Sequence, residues 1–486
     1  MNKVKSNLLI IMSDEHQWRA MSCAGHAVAQ TPHLDRLASR GTRFVNAYTP
    51  SPICVPARAS FATGRYAHQI RLWDNAMPYT GQPRGWGHAL QQQGRRVESI
   101  GKLHYRDERD QAGFDVEHIP MQVVDGVGMV WGSIRREDER ITPQSRMLGK
   151  YIGPGESRYT EYDRAITNHT CSWLEQAANA TDEQPWCLYV GLVAPHFPLV
   201  VPQTYLDRYP FDMLPADKLH PRDGYQQHPW IAKTDAVMPN EKAFRDEDER
   251  LMAIACYFGL VSWLDHNIGQ IQATLQATGL AESTTIIYTS DHGDNIGARG
   301  LWGKSNLYQE AAAVPLIVCP PLNTNAASTP TVCETPVSLI DISETILDHF
   351  DATLEGERPG CSLYEIAAVP TDNQRLVFSE YHAVGAVSGA YMVRLGSVKY
   401  IHYHGFEPEL FDLAIDPEET TNLAADPAYK ALRERMHAAL CSVCDPAAMN
   451  DLAFADQATM IKRYGGREAA LKLGAPAATP APDVSR

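Results

Sequence analysis

Two pairs of polar residues stand where short apolar runs end. Asp14 and Glu15 follow "NLLIIMS", and Asp291 and His292 follow "TTIIYTS". Carboxylates and an imidazole at such junctions can hold a hard divalent cation through oxygen and nitrogen. Each pair alone reads equally well as a solvated turn or a helix cap. Taken together they point to one ion, because the strand ends of an α/β sheet converge on a single crevice. A mostly carboxylate set favours Ca2+, with its long and loose bonds, over Mg2+ or Mn2+. Zinc would demand more His and Cys.

A second group is cationic: Arg58, Lys102 and His104 in "GKLH", His196 in "APHFP" and Lys304 in "LWGKS". An isolated Lys or Arg is normally a solvated surface group, and a lone His a satisfied structural one. Lys102, His104 and His196, however, also follow short apolar runs, at the sheet edge where the carboxylates lie. Such a set can bind a tetrahedral oxyanion, neutralise charge as a bond breaks and protonate a leaving oxygen. Cys54 is the remaining candidate, with Pro56 two residues on and Arg58 four on. It is either a small core residue or the reactive group. The ten cysteines are scattered and show no disulfide or zinc pattern. The C-x-x-C formed by Cys441 and Cys444 lacks a second half and reads as part of a C-terminal helix. The glycines of "GDNIGARG" do not fit a dinucleotide fingerprint, and there is neither a G-x-S-x-G elbow nor a Walker sequence.

The elements that must carry these residues are legible as alternating strands and helices. "NLLIIMSD", "TRFVNAYT", "RVESIGKLH", "WCLYVGLVAPH", "TTIIYTSDHGDNIG" and "AVPLIVCP" read as strands. "TPHLDRLASRG" reads as a helix capped by Thr31 before Pro32 and closed by Gly41. A long helix is expected in "RLMAIACYFGLVSWLDHNIGQIQATLQATGL". This order predicts an α/β fold, a mostly parallel mixed sheet sandwiched by helices, over residues 1–368. From about residue 370 the texture changes to "RLVFSEY", "AYMVRLG", "VKYIHYH" and "PELFDLA", followed by helical "PAYKALRERMHAAL". Residues 369–486 are therefore expected to form a small C-terminal domain of antiparallel sheet and helix, ending in the Pro/Ala-rich, extended or disordered "GAPAATPAPDVSR".

A chain of 486 residues suits one large core plus a smaller one. A net charge of −15 argues against nucleic acid and anionic membrane surfaces as partners, though cations or a metal can reverse the potential inside one cleft. No apolar run is read as approaching the roughly 20 residues of a membrane span. The N-terminal apolar run is too short for a signal peptide. A cytoplasmic location is expected.

In this order the pieces resemble the type I, formylglycine-dependent sulfatases of the alkaline phosphatase superfamily. "CVPARASFATGR" matches their C-x-P-x-R signature with its downstream T-G-R, and "DE", "GKLH", "PHFP", "SDHGD" and "GLWGK" stand where the family carries its metal and sulfate residues. "ELFDLAIDPEETTNLA" is similar to the family's C-terminal segment. "SPICVPAR", "WDNA" and "GARGLWGK" are closest to bacterial choline-sulfatase-like and phosphonate-monoester-hydrolase-like members. Two features depart from the pattern: Asp14 is followed by Glu15, where many members have Asp or Gln, and the choline-sulfatase type has a longer tail.

The resemblance implies a sulfuric ester hydrolase in which Cys54 is oxidised by a formylglycine-generating enzyme. The hydrated aldehyde, on a divalent metal held by Asp14, Glu15, Asp291, His292 and position 54 itself, attacks the sulfur of a small sulfate ester and expels the alcohol. Collapse of the diol then ejects sulfate. Arg58 and Lys102 hold the modified residue and metal-side charge, His104 is the base for the collapse, and His196 and Lys304 contact sulfate and assist the leaving oxygen. The resemblance also implies a homo-oligomer, a dimer or tetramer. Hydrolysis of phosphonate monoesters or phosphodiesters by the same site is the nearest alternative, and a non-catalytic binding protein with an unmodified Cys54 is a second. Asp74, Asn75, Tyr105, Trp131 and Trp302 are candidates to line the pocket for the alcohol.

Overall fold

The computed structural model describes residues 6–135, 148–180, 184–323, 331–473 and 478–484. The first five residues, and residues 474–477 and 485–486 of the Pro/Ala-rich tail, lie outside them. Eight strands form the main sheet: β1 (Asn7–Asp14), β2 (Thr42–Phe44), β3 (Val97–Lys102), β4 (Val116–Met121), β5 (Cys187–Pro195), β6 (Thr284–Ser290), β7 (Leu316–Cys319) and β8 (Thr331–Cys333). Their spatial order is β8-β2-β7-β6-β1-β5-β3-β4. The central strands β6, β1, β5 and β3 run parallel, whereas β7 lies antiparallel to both β6 and β2. The sheet is thus mixed and mostly parallel, as expected.

β1, β5 and β6 are apolar over nearly their whole length because both of their faces are covered. Leu9 and Ile11 of β1 face one buried cluster with α3 (Arg158–Ala178) and α4 (Glu247–Ala277). Leu8, Ile10 and Met12 face the other, with α2 (Cys54–Thr63) and α5 (Leu339–His349). α4 is, by length and composition, apolar enough to cross a membrane, contrary to the expectation that no segment is. Most of its apolar stretch is buried inside the protein.

The helix expected at "TPHLDRLASRG" is α1 (Pro32–Ala38), starting at Thr31 and Pro32. It stops before Gly41, which is no cap. A Cβ at Gly41 would lie 2.4 Å from the carbonyl oxygen of Val318, so glycine is there to let β2 approach β7. A second sheet joins β9 (Leu376–Tyr381), β10 (Ala390–Leu395), β11 (Val398–Tyr403) and β12 (Glu409–Asp412) as an antiparallel meander. α6 (Lys430–Val443) packs Met436 and Leu440 onto one face of it. The opposite face shares a cluster with Tyr48, Ile53, Trp230 and Leu307, so this sheet closes over the mouth of the larger one. α7 (Pro446–Arg463) follows. Cys441 is exposed and Cys444 buried, and the Cys441 sulfur lies 3.6 Å from His437 Nε2.

Candidate active site

Four adjacent parallel strands deliver the polar residues to one edge. β6 ends in Asp291 and His292, β1 in Asp14 and Glu15, β5 in His196, and β3 in Lys102 and His104. Glu15 and His104, at two of these ends, have positive φ of 70° and 61°. Non-glycine residues adopt this conformation at a cost that the surrounding structure must over-determine.

α2 begins at Cys54 and brings Arg58 one turn later. Its first turn lacks a capping side chain at Ile53, and the Val55 N–H instead donates to Asn75 Oδ1 at 3.1 Å. The helix closes at Gly64, φ 67°, so the T-G-R element serves as a helix stop. Cys54 Sγ lies 3.2 Å from His292 Nε2 and 3.8 Å from Asp14 Oδ1. His292 Nδ1 donates to the Gly293 carbonyl at 3.0 Å, which orients the ring so that Nε2 faces the sulfur. One donor atom from each of Asp14, Cys54, Asp291 and His292 falls within 4.8 Å of all the others, and all four residues are buried.

Arg58 ties this cluster together. Its Nε donates to Asp291 Oδ2 at 2.8 Å and Nη2 to Asp14 Oδ2 at 3.2 Å, while Nη1 donates to the Lys102 carbonyl and Tyr189 hydroxyl, both at 2.9 Å. Lys102 Nζ pairs with the same Asp14 oxygen. Burial alone would raise the Asp14 pKa, but the charges of Lys102, Arg58 and Lys304 together hold it well below the usual carboxylate range.

Glu15 is set to one side. It forms a second group with Asp14 and His196, and its Oε2 receives Lys304 Nζ at 3.2 Å. Its Oε1 is buried without a hydrogen-bond partner. Burial, with Asp294 and Asp14 nearby, pushes this carboxyl well above its ordinary value despite Lys304. Lys304 also donates to His196 Nε2 at 2.9 Å, and His196 Nδ1 donates to the Phe197 carbonyl at 2.6 Å. His196 is therefore a neutral acceptor. Burial and Lys304 hold its pKa well below the ordinary imidazole value.

Cys54, Lys102, His104, His196 and Lys304 line one pocket, so five of the six catalytic candidates from the sequence meet there; Arg58 lies behind it, bonded to Asp14 and Asp291. Of the wall candidates, Asn75 and Trp302 line it. Asp74 accepts from Ser133 and Gln457 at 2.6 Å each and serves packing. Tyr105 is a core residue edge-on to Tyr79, and Trp131 packs against the cluster beneath the second sheet. The sequence reading missed Asp235, a pocket residue whose carboxyl is pushed up to about 7 by burial and Glu241 against Lys242. It also missed Tyr159 and Thr479. The hydroxyl of Tyr159 donates to the Thr479 carbonyl, and Thr479 touches His104. No motif marks these three residues.

The sulfatase family matches residues 6–352, and the C-terminal region of N-sulphoglucosamine sulphohydrolase matches residues 297–445. The choline-sulfatase of Rhizobium meliloti (strain 1021) is 31% identical over 434 residues, 87% of this chain and 83% of that protein. Arylsulfatase K of Bos taurus is 28% identical over 457 residues, 86% and 78% of the two chains. The crystal structure of the phosphonate monoester hydrolase of Agrobacterium radiobacter shares the fold, with a TM-score of 0.74 at 22% identity, covering 90% of this chain and 95% of that one. A family match over residues 6–352, joined to a strand-edge site of this geometry, establishes that this chain belongs to the sulfatase family of hydrolases.

Proposed function

We propose that the protein hydrolyses a sulfate monoester to alcohol and sulfate, with Cys54 oxidised to formylglycine and one divalent cation, Ca2+, beside it. The observation that carries this reading is the meeting of Cys54 Sγ with two carboxylates and an imidazole nitrogen at one buried point. An unmodified thiol suits that position poorly. Burial and the Asp14 charge push it up to about 11, so at neutral pH it is protonated and weakly nucleophilic.

The donor set suits a cation. Four donors within 4.8 Å of one another match bonds of about 2.4 Å to a common centre. Asp14, Asp291 and His292 would hold the ion, with Glu15 and its unpartnered Oε1 alongside. The modified residue and the ion supply an oxygen nucleophile and neutralise charge at the reacting centre.

The chain's own residues account for the rest of the chemistry. Arg58 fixes both carboxylates. Lys102 and Lys304 supply positive charge for the sulfate oxygens as charge builds during bond breaking. Lys304 hydrogen-bonds the bare Nε2 of His196, and this pair is set to donate a proton to the departing alcohol oxygen. His104 is held uncharged by burial, Lys102 and Arg58, the state required of a base that removes a hydroxyl proton at position 54. Apolar Ile231, Leu301 and Val384 make the outer wall a surface for the carbon part of the alcohol.

Mass spectrometry of the Cys54 peptide from the native host, combined with turnover of p-nitrophenyl sulfate and a phenyl phosphonate ester, tests the proposal. Formylglycine and a higher kcat/KM for the sulfate are expected. An unmodified thiol overturns the mechanism, and a large phosphonate preference overturns the substrate class.

A further inference from the structure

The Pro/Ala-rich tail re-enters the molecule at the active site. Residues 478–484 have neither helix nor strand, yet Ala478, Ala481 and Val484 pack against the main core. The Tyr159 hydroxyl donates to the Thr479 carbonyl at 2.5 Å. Tyr159 is buried on α3 and stands edge-on to His196, ring centres 5.7 Å apart. With its backbone held in this way, Thr479 places Oγ1 2.8 Å from His104 Nε2 and lines the same pocket as Cys54.

His104 has few other restraints. Its Nδ1 is buried without a hydrogen-bond partner, and its backbone is in the left-handed region. A neutral imidazole carries one proton, on one of two nitrogens. Placed on Nδ1, that proton would be a buried donor with no acceptor, which is costly. Placed on Nε2, it is accepted by Thr479 Oγ1 and leaves Nδ1 as a bare lone pair. The hydrogen bond made by one ring nitrogen thereby decides which nitrogen can act.

We infer that Thr479 is a positioning residue of the active site: its hydroxyl accepts the Nε2 proton of His104, fixes the ring and its tautomer, and leaves Nδ1 free to receive a proton from the reacting group. This rests on the proposed role of His104 as base. The tail is on this account a working wall of the catalytic pocket.

The test compares full-length wild type, Thr479→Val and Thr479→Ser. Valine keeps the shape and removes the acceptor, so kcat for p-nitrophenyl sulfate is expected to fall about tenfold or more with KM nearly unchanged. Serine should restore most of kcat. Nitrogen NMR of 15N-histidine-labelled protein should show His104 protonated at Nε2 in wild type and serine variants and a mixed or reversed tautomer with valine. This readout needs neither ion nor modified cysteine. A chain ending at Leu473 should behave like the valine variant. Unchanged kcat and tautomer in Thr479→Val, or a shortened chain faster than wild type, would overturn the assignment. If wild type cleaves no sulfate ester, the functional proposal fails instead, and the tautomer measurement still decides the role of Thr479.

Discussion

Arg58 and Asp291 form a buried ion pair, Nε to Oδ2 at 2.8 Å, one helical turn after the cysteine that opens the same helix. The guanidinium also reaches Asp14. Neither carboxylate is exposed. Sequence spacing between Cys54 and Arg58 therefore becomes spatial coupling between position 54 and the carboxylates of the proposed cation site.

Replacing Arg58 should separate charge from shape. Arg58→Ala leaves two buried carboxylates without their shared partner and should cost roughly 3–5 kcal/mol of stability in EDTA, part of it recovered on adding Ca2+. Arg58→Lys keeps the charge but cannot span both acids, because an ammonium is a point charge and the guanidinium a fork. It should fold yet lose most activity. Thermal unfolding with and without Ca2+, together with turnover, checks both. A lysine variant with wild-type kcat would show that the bridge is dispensable.

Lys304 is expected to matter in proportion to the difficulty of the leaving group. It bonds His196 and Glu15 at once, and its pKa is raised despite burial because the acids Glu15, Asp14 and Asp291 lie around it. Lys304→Ala should reduce kcat for an alkyl sulfate by about 10²-fold or more, and less for p-nitrophenyl sulfate, whose phenolate leaves without help. Equal losses on both esters would place Lys304 in sulfate binding alone.

A pH-dependent stability term is built into the second sheet. Glu380 of β9 accepts from the His68 backbone and ring, both at 2.8 Å, and bonds His382 at 3.0 Å. Burial would raise its pKa, but the His68 charge and these hydrogen bonds bring it down to about 2. Burial would lower His68, and Glu380 raises it overall. A depressed carboxylate contributes stability that is present above about pH 4.5 and lost as pH falls towards 2. A raised imidazole contributes stability present below about pH 6.5 and lost as pH rises through its folded value. The stability difference between wild type and Glu380→Gln should therefore be largest near pH 5–6 and shrink on both sides. Urea unfolding across that range measures it, and a flat difference would contradict the pairing.

What the sequence disclosed follows from how each residue announces itself. β1, β3, β5 and β6 end in chemistry-bearing residues after apolar runs, so strand and site were readable together. β4, "VEHIPM", is half exposed at the sheet edge, and its mixed composition hides it. Asp14, Asp291 and His292 were visible as a set, whereas the turn of Glu15 towards Lys304 depends on a positive φ that two adjacent acids cannot signal. Thr479 was least legible. It sits in a Pro/Ala-rich run that lacks any periodicity, and its meaning comes from Tyr159 and His104, some 320 and 375 residues away.

The spacing between β5 and β3 should matter as much as the side chains it carries. Gly191 of β5 pairs with Gly101 of β3, and a Cβ at Gly191 would lie 2.1 Å from the Lys102 carbonyl oxygen and 2.9 Å from its carbon. The clash is with backbone, so no rotamer change relieves it. That same carbonyl accepts Arg58 Nη1 and the Tyr189 hydroxyl. Gly191→Ala must push the end of β3 outward, dragging Lys102 from Asp14 and loosening Arg58. Overpacking of this kind costs about 1–3 kcal/mol. Because the displaced atoms hold Asp14 and Asp291, Ca2+ affinity should fall with stability, and kcat should fall further than either Lys102→Met or a stability loss of that size explains. Calorimetric titration of Ca2+, set beside unfolding and turnover, separates these effects. A variant that is destabilised yet binds Ca2+ and turns over normally would mean that strand spacing is not transmitted to the carboxylates.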